Sequence, residues 1–271
     1  MLHKWEEPCI CTGAGSGAVF FCGCPLGCVY CQNSAISRKS ANGAFEGEKS
    51  YSVTELAREF LHLQEKGACN IDLVSPTQYT PQIIEAVRLA KNEGLTLPIV
   101  WNTGGYETAE NIRRLDGTVS VYLTDMKYRD SELSRALSNA PDYYDHAIAS
   151  LLEMVRRVGK PVFEGDRLTK GVIVRHLVLP GCRHDSKAVL ESLANAGLAD
   201  SIVLSLMSQY TPDFFSGCTD EKLSRSMRRR VTSFEYDSIA ALADSLGFAG
   251  YGQERSSAET KYTPTWGNFE Y

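Results

Sequence analysis

The feature that most constrains this chain is a repeated alternation of short apolar runs with longer amphipathic stretches. Runs at 17–22, 70–75, 97–102, 119–124, 171–179 and 201–207 are rich in Val, Ile, Leu or aromatic residues, and most end at a polar or glycine-containing turn. Between and after them, 52–67, 79–93, 106–115, 143–158, 185–197 and 232–246 carry apolar residues at helical spacing. Ser52-Val-Thr-Glu55 opens the first helix as a capping box, with Leu56, Phe60 and Leu63 along one face. Gly94 and Gly159 stop the second and fourth.

Repeated strand–helix units place their strands in parallel through right-handed crossovers. Six units predict an α/β fold, a partial (β/α)6 TIM-type barrel with parallel strands; a doubly wound sheet is the alternative. In both, binding groups gather at the carboxyl ends of the strands. No internal repeat, low-complexity tract or long linker divides the chain, so residues 1–271 read as a single domain. Its parts are a core barrel at about 15–250, a cysteine loop at 22–33, an N-terminal arm at 1–14 and a C-terminal tail at 251–271. The tail, through Tyr262-Thr-Pro-Thr-Trp266, is expected to pack on the barrel or cover its mouth.

Composition narrows the function. A formal net charge of −5 argues against general nucleic-acid binding, which needs basic surface for phosphates. The run Arg228-Arg229-Arg230 reads as a solvated helix start or loop. No segment approaches the ~20 apolar residues that span a bilayer, and the N-terminus lacks the apolar core of a secretory signal. Nine cysteines, an odd number, are then expected to serve metals or redox chemistry rather than disulfides, in a reducing, cytoplasmic setting.

Three of them, Cys24, Cys28 and Cys31, form a C-x3-C-x2-C loop directly after the first strand. Three thiolates can hold three irons of a [4Fe–4S] cube and leave the fourth without a protein ligand. Tyr30 precedes the last cysteine, where a flat ring could lie beside cluster and ligand. A zinc site borrowing Cys22 or Cys9 is the alternative, although structural zinc usually takes two paired ligand sets and no second pair follows. Cys9, Cys11, Cys69, Cys182 and Cys218 are scattered and read as small buried hydrophobes.

The stretch Gly15-Ser-Gly-Ala-Val-Phe-Phe-Cys-Gly-Cys24, continuing to Cys31-Gln-Asn33, resembles the radical S-adenosylmethionine (radical SAM) enzymes. Within them it is similar to the pyruvate formate-lyase activating enzyme-like branch, from Trp5-Glu-Glu-Pro8 to Ser208-Gln-Tyr-Thr-Pro212. The resemblance implies a [4Fe–4S] cluster on Cys24, Cys28 and Cys31. It also implies S-adenosylmethionine (SAM) on the open iron, one-electron cleavage of its sulfonium, and a 5′-deoxyadenosyl radical that abstracts hydrogen. The implied partners are an electron donor such as flavodoxin or ferredoxin and a glycyl-radical enzyme whose backbone glycine is activated.

Other strand ends can be set against this need. Relatives often carry Gly-Gly-Glu after the second strand, for the methionine ammonium; this chain has Ser75-Pro-Thr-Gln78, so the Ser75 and Thr77 hydroxyls or nearby carbonyls must replace it, unless they only cap the next helix. Asn102 and Thr103 can hydrogen-bond a ribose or carboxylate, and Gly104-Gly105 allows close backbone approach. Asp125 and Lys127 share a face, resembling an Asp-x-Lys of the activating enzymes, with Lys127 set to neutralise the SAM carboxylate. Arg175 matches a family arginine and suits the same carboxylate, whereas His176 reads as structural. Met207, Gln209 and Tyr210 end the sixth strand within reach of adenine or substrate. The catalytic residue is left open. So are two other functions: radical modification of a peptide or small molecule, and non-catalytic Fe–S electron transfer.

Overall fold

The computed structural model describes residues 1–4, 7–11, 13–40, 43–45 and 47–252. The aromatic tail at 262–266 expected over the mouth lies outside the described residues.

The strands are β1 (Leu2–His3), β2 (Ser16–Phe20), β3 (Ile71–Val74), β4 (Ile99–Thr103), β5 (Val121–Asp125), β6 (Val162–Glu164), β7 (Arg167–Leu177), β8 (Val203–Met207) and β9 (Gly250–Gly252). The helices are α1 (Ser34–Ser37), α2 (Val53–Glu65), α3 (Thr80–Asn92), α4 (Ala109–Arg114), α5 (Ser131–Ser138), α6 (Tyr143–Val158), α7 (Arg183–Asn195), α8 (Glu221–Met227) and α9 (Ser233–Ser245). Single 3-10 turns sit at Thr77–Tyr79 and Pro212–Phe214. Spatial order follows chain order, β1-β2-β3-β4-β5-β7-β8-β9, and every ladder from β2 to β9 is parallel. β1 joins β2 antiparallel, and β6 forms an antiparallel hairpin on β7. Among the described residues no ladder joins β9 back to β1 or β2. The fold is therefore the expected α/β, partial TIM-type barrel rather than a doubly wound sheet.

Side-chain alternation sorts each strand into two faces. Ile71, Leu73, Ile99, Trp101, Tyr122, Val172, Val174, Leu204 and Leu206 pack against the helices in the main core. Val100, Val121, Leu123, Ile173 and Val203 point the other way and meet Cys9, Ile10 and Leu168 in a second, inner core. The N-terminal arm thus seals the base of the barrel, held by Leu168 N donating to the Cys9 carbonyl at 2.8 Å and Asn70 Nδ2 to the Ile10 carbonyl at 3.2 Å. Cys11 and Cys69 pair as a disulfide, their Cα atoms 5.9 Å apart, which corrects the expectation that every cysteine stays a thiol. The physical reason is proximity across 58 residues of chain, which spacing does not show.

The capping box at α2 is present: Ser52 Oγ accepts from Glu55 N, and the Glu55 carboxylate accepts from Ser52 N at 2.8 Å. Thr232 and Glu235 repeat it at α9. Three helices and three strands were not expected. α5 and α8 are short and carry few apolar residues, and α1 spans one turn. β9 is Gly-Tyr-Gly, poor in strand formers, and pairs only because β8 offers an edge. β6 and the start of β7 form a mostly exposed hairpin, so burial left no pattern to read.

Candidate functional site

A cavity of about 480 Å³ opens at the carboxyl ends of the parallel strands. Cys24, Cys28, Cys31, Ser75, Asn102, Thr103, Asp125, Lys127 and Arg175 all line it, with His3, Lys4 and Glu7 from the arm and Tyr251 and Gly252 from β9. A larger cavity, about 780 Å³, lies outside the barrel between α5, α7 and α8; it holds none of these residues and no convergent strand ends.

The cysteine loop is clamped from two sides. Gln78 Nε2 donates to the Cys22, Gly23 and Ser75 carbonyls at 3.0, 2.8 and 3.2 Å, and the Tyr79 hydroxyl to Cys22 O at 3.0 Å. Opposite, Gly27 N and Val29 N donate to the Ser138 and Leu137 carbonyls at the end of α5, both at 2.9 Å. Each sulfur meets one hydrogen-bond donor: the Leu26 amide at Cys24, Ser138 Oγ at 2.9 Å from Cys28, and Ser37 Oγ at 3.5 Å from Cys31. Burial pushes the Cys24 thiol up to about 11 and raises Cys28 as well; a metal bound at these sulfurs would displace their protons.

Among the described residues no three His, Cys, Asp or Glu side chains converge on one point, as a tetrahedral zinc asks. Cys24, Cys28 and Cys31 all line one cavity, and three thiolates are what a cube with one open iron takes from the protein. This donor set fits a [4Fe–4S] cluster.

Beside the cysteines, a polar belt crosses four strands. Asn102 Nδ2 donates to Asp72 Oδ2 at 3.3 Å and Asn102 Oδ1 accepts from Arg175 Nη2 at 2.7 Å; Arg175 Nε donates to Asp125 Oδ1 at 2.8 Å, and Lys127 pairs with Asp125 Oδ2. Parallel register creates the belt, setting Asp125 beside Arg175 and Asn102 beside Leu123. Burial alone would raise the Asp125 pKa, but the Arg175 and Lys127 charges outweigh it and hold it below its ordinary value. Burial likewise opposes the Lys127 charge, and Asp125 overrides it, keeping the ammonium protonated. With both cations charged, Asp125, Lys127 and Arg175 sum to one positive charge facing the cavity.

Other expected residues are placed differently. Thr77 is not among the lining residues: its hydroxyl donates to Glu107 at 2.6 Å. Thr103 reaches the cavity wall, yet its hydroxyl is taken by the same carboxylate at 3.1 Å. Glu107, buried, also receives Trp101 Nε1 and Asn111 Nδ2 at 3.1 and 2.9 Å, so four donors converge on it. Tyr30 turns away from the cavity into the core, its ring edge-on to Tyr210 at 6.1 Å. A loop residue flanked by cavity-facing cysteines points inward because its hydroxyl finds partners there.

Ser75 stays at the cavity wall with φ 57°, a left-handed backbone that favours glycine. Gly105 is equally constrained: a Cβ there would strike the Asp125 carbonyl and lie 2.7 Å from the Tyr143 hydroxyl. His176 packs on the helix side, Nδ1 2.7 Å from the Met126 carbonyl, and burial pushes its pKa down to about 4. Met207 and Gln209 line the cavity, whereas Tyr210 is in the core.

Sequence reasoning missed Asp72, Gln78, Glu107 and Ser138. Asp72 carried a signal, a carboxylate inside the apolar run Ile71-Asp-Leu-Val74; the others lie on helices or turns and carried none.

Among curated proteins, the chain is 28% identical over 244 residues to an uncharacterized protein of Methanocaldococcus jannaschii, covering 90% of this chain and 65% of that one. The chain thus spans just under two thirds of that relative. A radical SAM methyltransferase from Sphaerobacter thermophilus superposes with a TM-score of 0.55 at 18% identity, over 87% of this chain and 65% of that one, a likeness of fold. Methylornithine synthase superposes with a TM-score of 0.48 at 15% identity, over 87% and 70%. Residues 18–181, more than half the chain and the segment that holds all three cysteines and the polar belt, match the Radical SAM superfamily, and the chain belongs to that superfamily, whose cofactors are a [4Fe–4S] cluster and SAM.

Proposed function

We propose that Cys24, Cys28 and Cys31 hold the cluster and that Asn102, Asp125, Lys127 and Arg175 hold SAM beside it. The carrying observation is the positive charge of the Asp125–Lys127–Arg175 group in the same cavity as three thiols. A ligand carboxylate neutralises that charge, and Arg175 offers a planar fork for it. Asp125 keeps both cations pointed inward. The Ser75 hydroxyl and the carbonyls of its turn face the ammonium end, Thr77 being taken by Glu107. Thr103 and Gly104 shape the wall near the ribose.

Bound there, cluster and SAM supply one-electron cleavage of the sulfonium and a 5′-deoxyadenosyl radical for hydrogen abstraction. The arm beneath and the packed inner core keep bulk water from the base of the site.

Radical SAM enzymes generally need a reductant of the flavodoxin or ferredoxin kind. The finer reading is a glycyl-radical activase of the pyruvate formate-lyase activating enzyme-like branch, abstracting hydrogen from a partner's glycine in the cytoplasm. Support for it is the sequence resemblance; modification of another peptide or a small molecule uses the same front end. Among the described residues no helix is long and apolar enough to cross a membrane.

Anaerobic reconstitution tests the reading. About four irons per chain and 5′-deoxyadenosine from SAM plus dithionite are expected. Stoichiometric zinc without SAM cleavage would sink it. Mixing with candidate glycyl-radical enzymes and looking for a glycyl EPR doublet tests the finer part.

A further inference from the structure

Behind the cavity, three buried hydroxyls form a chain that ends on one cysteine. The Tyr30 hydroxyl lies 2.5 Å from that of Tyr128, the Tyr128 hydroxyl 2.7 Å from Ser138 Oγ, and Ser138 Oγ 2.9 Å from Cys28 Sγ. Tyr128 and Ser138 are fully buried and Tyr30 is 8% exposed, so the chain runs through protein rather than solvent. A hydroxyl carries a single proton. A thiolate at Cys28 carries none, so Ser138 must donate to the sulfur. Tyr128 must then donate to Ser138, and Tyr30 to Tyr128. The charge at the far end fixes the direction of every bond, and donors aligned head to tail polarise one another.

We propose that Tyr30, Tyr128 and Ser138 are positioning residues that raise the reduction potential of a cluster bound through Cys28. The proposal rests on the reading that Cys28 is a cluster ligand. Reduction adds negative charge to the cluster and its sulfurs, so a donor aimed at sulfur stabilises the reduced form more than the oxidised one. The other two sulfurs are served differently: Cys24 by a backbone amide, Cys31 by Ser37 at the longer 3.5 Å. Only Cys28 has a polarised chain behind its donor among the described residues. The chain also gives Tyr30 a reason to face the core.

The test is a potentiometric titration of anaerobically reconstituted protein without SAM, following the EPR signal of the reduced cluster. Ser138→Ala is expected to give a roughly tenfold smaller reduced-to-oxidised ratio at a fixed poise, a midpoint lower by about 59 mV for a one-electron couple. Tyr128→Phe keeps the ring and removes only its donor, so it shifts the midpoint the same way by less. Ser138→Thr restores a hydroxyl and the wild-type midpoint. A Ser138→Ala protein with a full cluster and the wild-type midpoint overturns the relay while leaving the ligand assignment standing. A wild-type chain that takes up no cluster, or a Cys28→Ala chain with an unaltered cluster signal, overturns the ligand reading and the relay with it.

Discussion

Replacing Asp125 with Asn keeps the shape of the polar belt and removes the negative charge that sits between Lys127 and Arg175. Asp125, Arg175 and Lys127 side chains are only 13%, 18% and 19% exposed, so solvent compensates poorly. Each charge-assisted hydrogen bond contributes roughly 1.5–3 kcal/mol. Removing one partner of a buried pair costs about 3–5 kcal/mol. The amide oxygen of Asn still accepts one bond, and the cations keep some contact with water, which brings the expected loss to about 2–4 kcal/mol. For a chain of this size that corresponds to a melting temperature lower by roughly 5–15 °C. Lys127→Met is the contrasting change. It leaves Asp125 paired with Arg175 and removes surplus positive charge, so the loss stays below about 1 kcal/mol while retention of SAM weakens. Both are measured on cluster-free protein by urea and thermal unfolding, with SAM binding followed separately by calorimetry on the reconstituted enzyme. An Asp125→Asn chain within about 0.5 kcal/mol of wild type, or one more stable than Lys127→Met, refutes the view that Asp125 compensates both cations.

Three further outcomes are expected. Cys28→Ala abolishes 5′-deoxyadenosine formation while circular dichroism shows the fold retained; a retained rate refutes the ligand assignment. Ser75→Gly relieves a left-handed backbone worth about 1–2 kcal/mol against roughly 0.5–1 kcal/mol of added chain entropy, so thermal unfolding should show equal or slightly higher stability, with weaker SAM binding from the lost hydroxyl. Glu235, held by Arg229 at 2.7 Å and by Thr232 N and Gly181 N at 2.9 and 2.8 Å, has a pKa lowered to about 2 from 4.5. Because the folded value is the depressed one, its stabilisation is present above about pH 4.5 and is lost as pH falls toward 2. Glu235→Gln should cost about 2 kcal/mol at neutral pH and flatten the unfolding profile across that acid window; an unchanged slope would falsify the assignment.

The parts of the site that lie on strands were legible because a parallel sheet converts sequence position into place. Asn102, Asp125 and Arg175 each lie within or at the end of an apolar run that reads as a strand, and register does the rest. Helices with strong apolar stripes were legible for the same reason, as α6 shows by beginning and ending where its pattern does. What sequence could not show is pairing across distance. Thr77 looks like a cavity hydroxyl until Glu107, 30 residues later, accepts its hydrogen bond. Tyr30 looks like a cavity ring until Tyr128 appears behind it. Ser138 lies on a helix too short and polar to announce itself, and the disulfide between Cys11 and Cys69 depends on where the arm folds back.

The plugged base of the barrel also dictates traffic. Among the described residues Ile10 and Leu168 pack across one end of the barrel, so the chamber fills from the other, and whatever binds deepest arrives first and departs last. On the proposed reading SAM binds deepest, so it precedes the molecule it acts on, and the spent nucleoside leaves after the modified product. Steady-state kinetics should therefore follow compulsory order, with product inhibition by methionine and 5′-deoxyadenosine directed at free enzyme rather than at later complexes.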